Sequence, residues 1–327
     1  MKFLSCLIFL TLALSGCAQP VQEDVLKGAY LGQKLPGTEP VLFAPGIVST
    51  GMNERDLTVS PAMDEIYFSV RYKTRFAIAV SKIKNGVWTK PEVAPFSGEH
   101  NDIEPYIQPD GKKMYFVSKR PVTPGEKNKF EYNMWVMDKT DSDWGKPKPV
   151  EEPINGFGSV FYPSITKTGT LYFTRRFEDN SEYIFRSRLV NGKYTEPEKL
   201  PDNVNTTKSQ FNTFISPDED FLIIPVWGRK DTKGSSDYFV SFRDKNDNWS
   251  DLINLGDKIN TKFDEYTPSL SPDGKYFFFQ RKVISEDSSK AVKYSDIVKT
   301  YNSPENSNSD IYWVDAKVIR DLNPIKK

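Results

Sequence analysis

Histidine is almost absent from this sequence: His100 is the only one among 327 residues. As far as side-chain count allows, that excludes histidine-based catalytic triads and histidine-rich zinc or manganese sites. Cysteine is nearly as scarce, limited to Cys6 and Cys17. A surplus of either charge is missing too. There are 44 basic and 44 acidic residues and the isoelectric point is near 6.7, so nothing argues for nucleic acid or an anionic bilayer surface as partner. No phosphate-binding loop or dinucleotide fingerprint occurs, and no cofactor is implied. The one long apolar run, Phe3 to Leu14, is too short to span a bilayer as a helix.

What the sequence does contain is repetition. Residues Asn260 to Lys282 read NTKFDEYTPSLSPDGKYFFFQRK. Ser271-Pro272-Asp273-Gly274 is a tight-turn sequence: Pro pre-sets φ, Asp bonds its own backbone, and Gly accepts a positive φ. The run Tyr276-Phe277-Phe278-Phe279 has the length and composition of a strand buried on both faces. Degraded copies run from Arg55 to Val70, Asp102 to Arg120, Phe161 to Arg176 and Phe211 to Val226. Each hairpin is followed by a third strand: Ala77–Val80, Asn133–Met137, Tyr183–Ser187, Tyr238–Ser241 and Ile311–Asp315. In the first four units a fourth segment follows, opened by Trp88, Trp144, Tyr194 or Trp249. Because these aromatics recur once per unit, they read as packing between units rather than as ligand platforms.

Five units of roughly 50 residues, with about four strands each, have the period of propeller blades rather than of a helical solenoid. The last unit lacks its fourth strand. Near the N-terminus, Thr38-Glu39-Pro40 matches Thr195-Glu196-Pro197, which starts that segment in the third unit. The expected fold is therefore all-β: a five-bladed β-propeller of four-stranded blades, its ring closed by an N-terminal strand pairing with the C-terminal blade.

The Ser-Pro-Asp-Gly-Lys hairpin, the Asn-Thr-Lys-Phe-Asp-Glu-Tyr-Thr-Pro before it and the Trp-Ser-Asp-Leu-Ile-Asn-Leu-Gly run from Trp249 resemble the WD40-like repeat called PD40. That repeat occurs in TolB-like propellers and in many bacterial envelope lipoproteins. The resemblance covers nearly all of the chain beyond its N-terminal segment. Blades 2 and 5 match well, blade 3 has lost Pro-Asp, and blade 1 keeps only Ser60-Pro61. It is informative about fold and not about activity, because fold does not fix function.

At the N-terminus, Lys2 and the apolar run after it have the layout of a secretory signal. Leu14-Ser15-Gly16-Cys17 resembles the lipobox of bacterial lipoproteins, which implies cleavage before Cys17 and acylation of that residue. Several acyl chains give a stable anchor where one is marginal, and no disulfide would remain. The expected organisation is a signal peptide over residues 1–16, a lipidated cysteine and tether over 17–35, and the propeller over 36–327. The expected location is the outer membrane of a Gram-negative bacterium, with the membrane as partner through the lipid anchor.

In a four-stranded blade the loop entering the first strand and the loop joining the second to the third lie on one face. The first set carries Asp56, Glu104, Tyr162 and Glu265. The second set carries Arg71, Arg120, Arg175, Arg176, Arg229 and Arg281. The same face receives the longest insertions, above all Lys282 to Ser309, and binding usually resides in loops on a rigid scaffold. In one reading the arginines hold a carboxylate, sulfate or peptide C-terminus while the acids hold hydroxyls or amines. In the other, each arginine pairs with an acid of the neighbouring blade and fixes the ring. Arg175, Tyr162 and Trp227 break the repeat, and Trp227 is placed either to stack on a sugar or to plug the channel. Asp141-Ser142-Asp143 and Asp244–Asn248 faintly resemble calcium loops but fall in hairpin turns of the opposite face, so no metal is expected there. The sequence points to a lipid-anchored binding or scaffold module for a glycan, cell-wall fragment or envelope protein. The alternative is a carbohydrate-active hydrolase or lyase using paired carboxylates among Asp56, Glu104 and Glu265.

Overall fold

The computed structural model describes residues 26–141, 143–284 and 291–324. The signal peptide, Cys17 with the tether up to residue 25, Ser142, residues 285–290 of the insertion after Lys282 and residues 325–327 lie outside the described residues. Blade 1 is built from Glu54–Val59, Glu65–Tyr72, Arg75–Lys84 and Glu92–Val93. Blade 2 uses Asp102–Ile107, Lys113–Ser118, Asn133–Asp138 and Lys148–Pro149. Blade 3 uses Ser159–Ile165, Leu171–Arg176, Glu182–Ser187 and Glu198–Lys199. Blade 4 uses Phe214–Ile215, Phe221–Trp227, Ser236–Phe242 and Ile253–Asn254. Blade 5 contributes Asp264–Leu270, Tyr276–Lys282 and Ser309–Asp315, and its outer strand is Val41–Leu42, from the other end of the chain. Val41 pairs with Trp313 and Leu42 with Tyr312. The ring is thus a five-bladed propeller closed as the Thr-Glu-Pro match implies.

The hairpin turns explain which repeat residues survive. Ser271 Oγ accepts the Tyr276 N–H at 2.9 Å and donates to Asp273 at 2.6 Å. Ser60 and Ser216 do the same in blades 1 and 4, accepting two backbone N–H groups each. The serine closes the turn whether or not Pro-Asp-Gly follows it, which is why blade 1 tolerates Ala62 and Met63 after Ser60-Pro61. The aromatics opening the fourth segments lie between blades. Trp144 Nε1 donates to Tyr67 of blade 1 at 2.9 Å, the Tyr194 hydroxyl meets that of Tyr115 in blade 2 at 3.1 Å, and Trp249 stands edge-on to Tyr172 of blade 3. Trp88 Nε1 donates to the Gly28 carbonyl of the N-terminal segment.

The first strands are irregular. Pairing slips between Arg55 and Thr58, Ile103 and Tyr106, Phe161 and Ser164, and Tyr266 and Ser269. The residue at each slip has a left-handed backbone, Asp56 (φ 59), Glu104 (φ 60), Tyr162 (φ 53) and Thr267 (φ 59), and Asn212 (φ 48) holds the matching place in blade 4, between Gln210, bridged to Val226, and Phe214, paired with Ile223. A bulge of this kind re-aims one side chain and is sparsely populated for residues other than glycine, so it persists only where the surroundings hold it. First strands of successive blades touch one another around the ring, and the five bulges therefore meet at the central channel.

Candidate functional site

The bulge residues form the floor of a cup on the face that receives the long loops. A relay of hydrogen bonds links them. The Asp56 N–H donates to Thr267 Oγ1 at 3.4 Å, the Glu104 N–H to Asp56 Oδ2 at 3.3 Å, and the Tyr162 N–H to Glu104 Oε2 at 2.6 Å. Tyr162 then reaches across the channel, its hydroxyl donating to the Pro268 carbonyl at 2.8 Å. Arg55 lies above, its Nε on Asp56 at 2.8 Å and its Nη2 on Glu104 at 3.1 Å, while Asn212 Nδ2 donates to Glu104 at 3.1 Å. Each oxygen of Asp56 and Glu104 accepts a donor from the protein itself.

Above this floor is a cavity of about 440 Å³, within the range usual for small-molecule sites. Its walls carry Tyr132, Phe161, Phe211, Tyr266 and Trp227. Trp227 is 58 % exposed, so its indole faces solvent at the rim. Arg176 also lines the cup, paired with Glu182 at 2.7 Å and resting over Phe161.

Of the candidates named from sequence, Glu104, Arg176 and Trp227 line this cup, and Asp56 and Tyr162 lie buried beneath it. The others sit elsewhere. Arg120 pairs with Asp102 at 2.8 Å and caps the Phe96 carbonyl. Arg281 pairs with Glu265 at 2.8 Å and caps Ile259, and Glu265 also accepts the Thr261 hydroxyl. Both pairs lie within a single blade, so they tie a blade to its own entry loop rather than to its neighbour. Arg229 pairs with Asp231 and Arg71 donates to the Lys73 carbonyl. Arg175 is stacked between Phe157 and Phe177, at 3.7 and 4.1 Å. Arg55, Tyr132, Phe211, Asn212, Glu182 and Tyr266 line the cup as well. Three of the bulges precede a proline (Glu104-Pro105, Tyr162-Pro163, Thr267-Pro268), and the residue two before that proline is the wall residue, Ile103, Phe161 or Tyr266. That spacing is the signal by which the cup is legible.

Burial is the largest influence on the carboxyls of Glu104, in the floor of the cup, and of Glu265, beside Arg281. It raises Glu104, with the neighbouring Asp56 adding to it, up to about 8. Burial raises Glu265 to about 7 against the opposing pull of Thr261 and Arg281. Both folded values exceed the ordinary 4.5, so between those limits the folded protein holds more protons than the unfolded chain. This contribution to stability is fully present below about pH 4.5 and is lost as pH rises through about 7 to 8. The midpoint of thermal unfolding, followed from pH 5 to pH 8.5 in a chelating buffer, is expected to fall, and the fall should shrink in Glu104→Gln. A flat or rising midpoint across that window would contradict the assignment.

No protein-family model matches the sequence, and comparison with curated protein sequences gives no match. Among solved structures, the chain is similar in fold to TolB from Acinetobacter baumannii, with 17% identity over 80% of this chain and 54% of that one, at a TM-score of 0.45. It is similar to a putative TolB from Agrobacterium tumefaciens, with 14% identity over 72% of each chain and a TM-score of 0.45. A GH62 hydrolase in complex with xylotriose shares 11% identity over 85% of this chain and 97% of that one, at a TM-score of 0.46.

Proposed function

We propose that the cup is a non-catalytic binding site for a glycan segment, and that the protein is a lipid-anchored PD40-type binding module of the bacterial outer membrane. One observation carries the reading: the floor carboxylates are saturated by internal donors, while the walls above offer aromatic faces and a solvent-facing indole. A sugar ring presents apolar C–H faces and hydroxyl edges. The first suit Trp227, Phe211 and Tyr266, and the second suit the Arg176–Glu182 pair at the rim. The N-terminal segment supports the orientation. The Leu26 carbonyl accepts the Trp88 N–H, and Tyr30 lies against Met63 and Tyr276. These contacts belong to the face of the hairpin turns, so a tether from a lipidated Cys17 leaves the cup pointing away from the bilayer.

The test is native mass spectrometry of the chain with envelope, plant and algal oligosaccharides, followed by titration of any ligand retained. An unaltered adduct is expected, weakened about tenfold or more by Trp227→Ala, equivalent to roughly 1.4 kcal/mol. An adduct indifferent to both Trp227→Ala and Phe211→Ala would place binding elsewhere. The second reading, a carbohydrate-active enzyme, is favoured by the elevated Glu104 beside the Asp56 carboxyl, since general acid catalysis needs a carboxyl that stays protonated near neutrality. New product masses that vanish in Glu104→Gln would replace the binding reading with that one.

A further inference from the structure

Two positions before the bulge, the blades fill one register position differently. Blade 5 sets Arg281 opposite Glu265 and pairs them at 2.8 Å. Blade 2 sets Ser118 opposite Asp102, and Arg120, two residues on, takes the charge. Blade 1 keeps an acid without the arginine, Glu54 opposite Val70, and blade 4 has neither, with Gln210 bridged to Val226. Blade 3 keeps the arginine without the acid: Arg175 stands opposite Val160, which is at 0% exposure. Among the described residues Arg175 has no ion pair and no hydrogen bond, and its Nε is buried without an acceptor. Burial pulls its pKa below the usual arginine value, and no carboxylate opposes that pull.

An arginine without an acid ordinarily reaches into water, but Arg175 is held in a slot. Phe157 and Phe177 cover its faces, with ring centroids 3.7 and 4.1 Å from Cζ. Each ring is itself fixed, Phe157 edge-on to Phe185 at 5.2 Å and Phe177 edge-on to Tyr183 at 5.8 Å. Gly158 makes room for the side chain: a Cβ there would lie 2.9 Å from Nε, and its φ of 137° suits glycine. A guanidinium with both faces stacked keeps only its edge for hydrogen bonds. Nε is shut off from solvent and the two terminal nitrogens are not, and Arg175 lines a cavity of about 800 Å³ together with Lys129. Of the acids around that cavity, Asp179 turns back to accept the Ser181 hydroxyl at 2.6 Å, Glu131 pairs with Lys119, and Glu178 is exposed.

We propose that the terminal nitrogens of Arg175 bind a carboxylate from the ligand, in the place that Glu265 fills for Arg281. A planar carboxylate meets the open edge of the guanidinium in a two-bond fork. A sulfate or phosphate would set oxygens above and below that plane, toward the two rings. Arg176 lines both this cavity and the cup, so the two sites are neighbours. On the glycan reading of the cup, on which this step rests, the ligand carries a uronic acid beside the sugar held there.

The test titrates the full chain with sodium glucuronate at fixed ionic strength, so that general screening stays constant. Affinity is read from the glucuronate NMR signals, and the position from the Arg175 Nε–H resonance, identified by its loss in Arg175→Gln. One glucuronate per chain is expected, with a millimolar Kd and a shift of that resonance. The methyl ester of glucuronate, glucose and inorganic sulfate should each bind at least about tenfold more weakly. Arg175→Gln should lose at least about tenfold in affinity for glucuronate, and Arg175→Lys should recover only part of it, because an ammonium has no planar fork. Thermal unfolding checks that both variants fold; if the glutamine variant does not, the comparison of acid with ester on the wild-type chain decides. Trp227→Ala should leave glucuronate binding intact, so failure of the cup and failure of the carboxylate site are told apart. An unmoved Nε–H resonance at tens of millimolar glucuronate would overturn the site, as would equal binding of acid and ester, tighter binding of sulfate, or an undiminished affinity in Arg175→Gln. Binding that appears only in Glu178→Gln would show the fork filled from within the chain, and would overturn it as well.

Discussion

Phe43→Ala is expected to destabilise the protein by about 3–5 kcal/mol, lowering Tm by about 10 °C. Phe43 is at 0% exposure and sits edge-on to Phe278 and Trp313, with ring centroids 5.1 and 5.2 Å away. The outer strand that closes blade 5 pairs through only Val41 and Leu42. Two residue pairs are a weak ladder, so adhesion of the seam rests on the side chain that follows them. Phe43 also anchors the chain by donating its N–H to the Ile311 carbonyl at 2.8 Å, a bond that alanine retains, so the substitution isolates the loss of the ring. Opening the seam exposes Trp313 and Phe278 together, and the unfolded population should aggregate. Urea unfolding measures the effect. Val41→Ala, whose side chain is 41% exposed, should change stability by less than about 0.5 kcal/mol. A Phe43→Ala cost below about 1 kcal/mol would mean that closure does not depend on this contact.

Glu104→Ala is expected to cost a similar amount, about 3–5 kcal/mol, by a different route. Glu104 receives Arg55 from blade 1, the Tyr162 N–H from blade 3 and Asn212 from blade 4. Alanine leaves the guanidinium with Asp56 as its only carboxylate and strips partners from two buried donors, each of which carries a desolvation penalty of about 1–3 kcal/mol. Glu104→Gln keeps the volume and one acceptor oxygen, so it should fall between wild type and alanine. Chemical denaturation of both variants decides the point. If alanine and glutamine cost equally little, the relay beneath the cup contributes nothing to the ring and its bulges need another explanation. The same pair of variants separates architecture from chemistry, because a binding cup should lose affinity in step with stability, whereas a catalytic acid would lose turnover in Glu104→Gln while the fold holds.

The sequence by itself determined the number of blades, the strand order within each and the closure of the ring. Those features rest on local physics. Ser-Pro-Asp-Gly specifies a turn wherever it occurs, the Tyr276–Phe279 run specifies a buried strand, and Thr38-Glu39-Pro40 repeats the start of a segment that Ser309–Asp315 lacks on its outer side. Which charges meet was decided by tertiary structure. Arg175 and Arg176 are adjacent, yet one lies between two phenylalanines and the other lines the cup, because neighbours on a strand point to opposite faces. The bulges compound this, since one slipped residue re-aims Glu104 and Thr267 relative to the acids two places earlier. Those earlier acids, Asp102 and Glu265, turn back to arginines of their own blade. Tyr132, Phe211 and Trp227 belong to separate strands and loops, and their convergence depends on the radius of the closed ring, a quantity that no local stretch of sequence encodes.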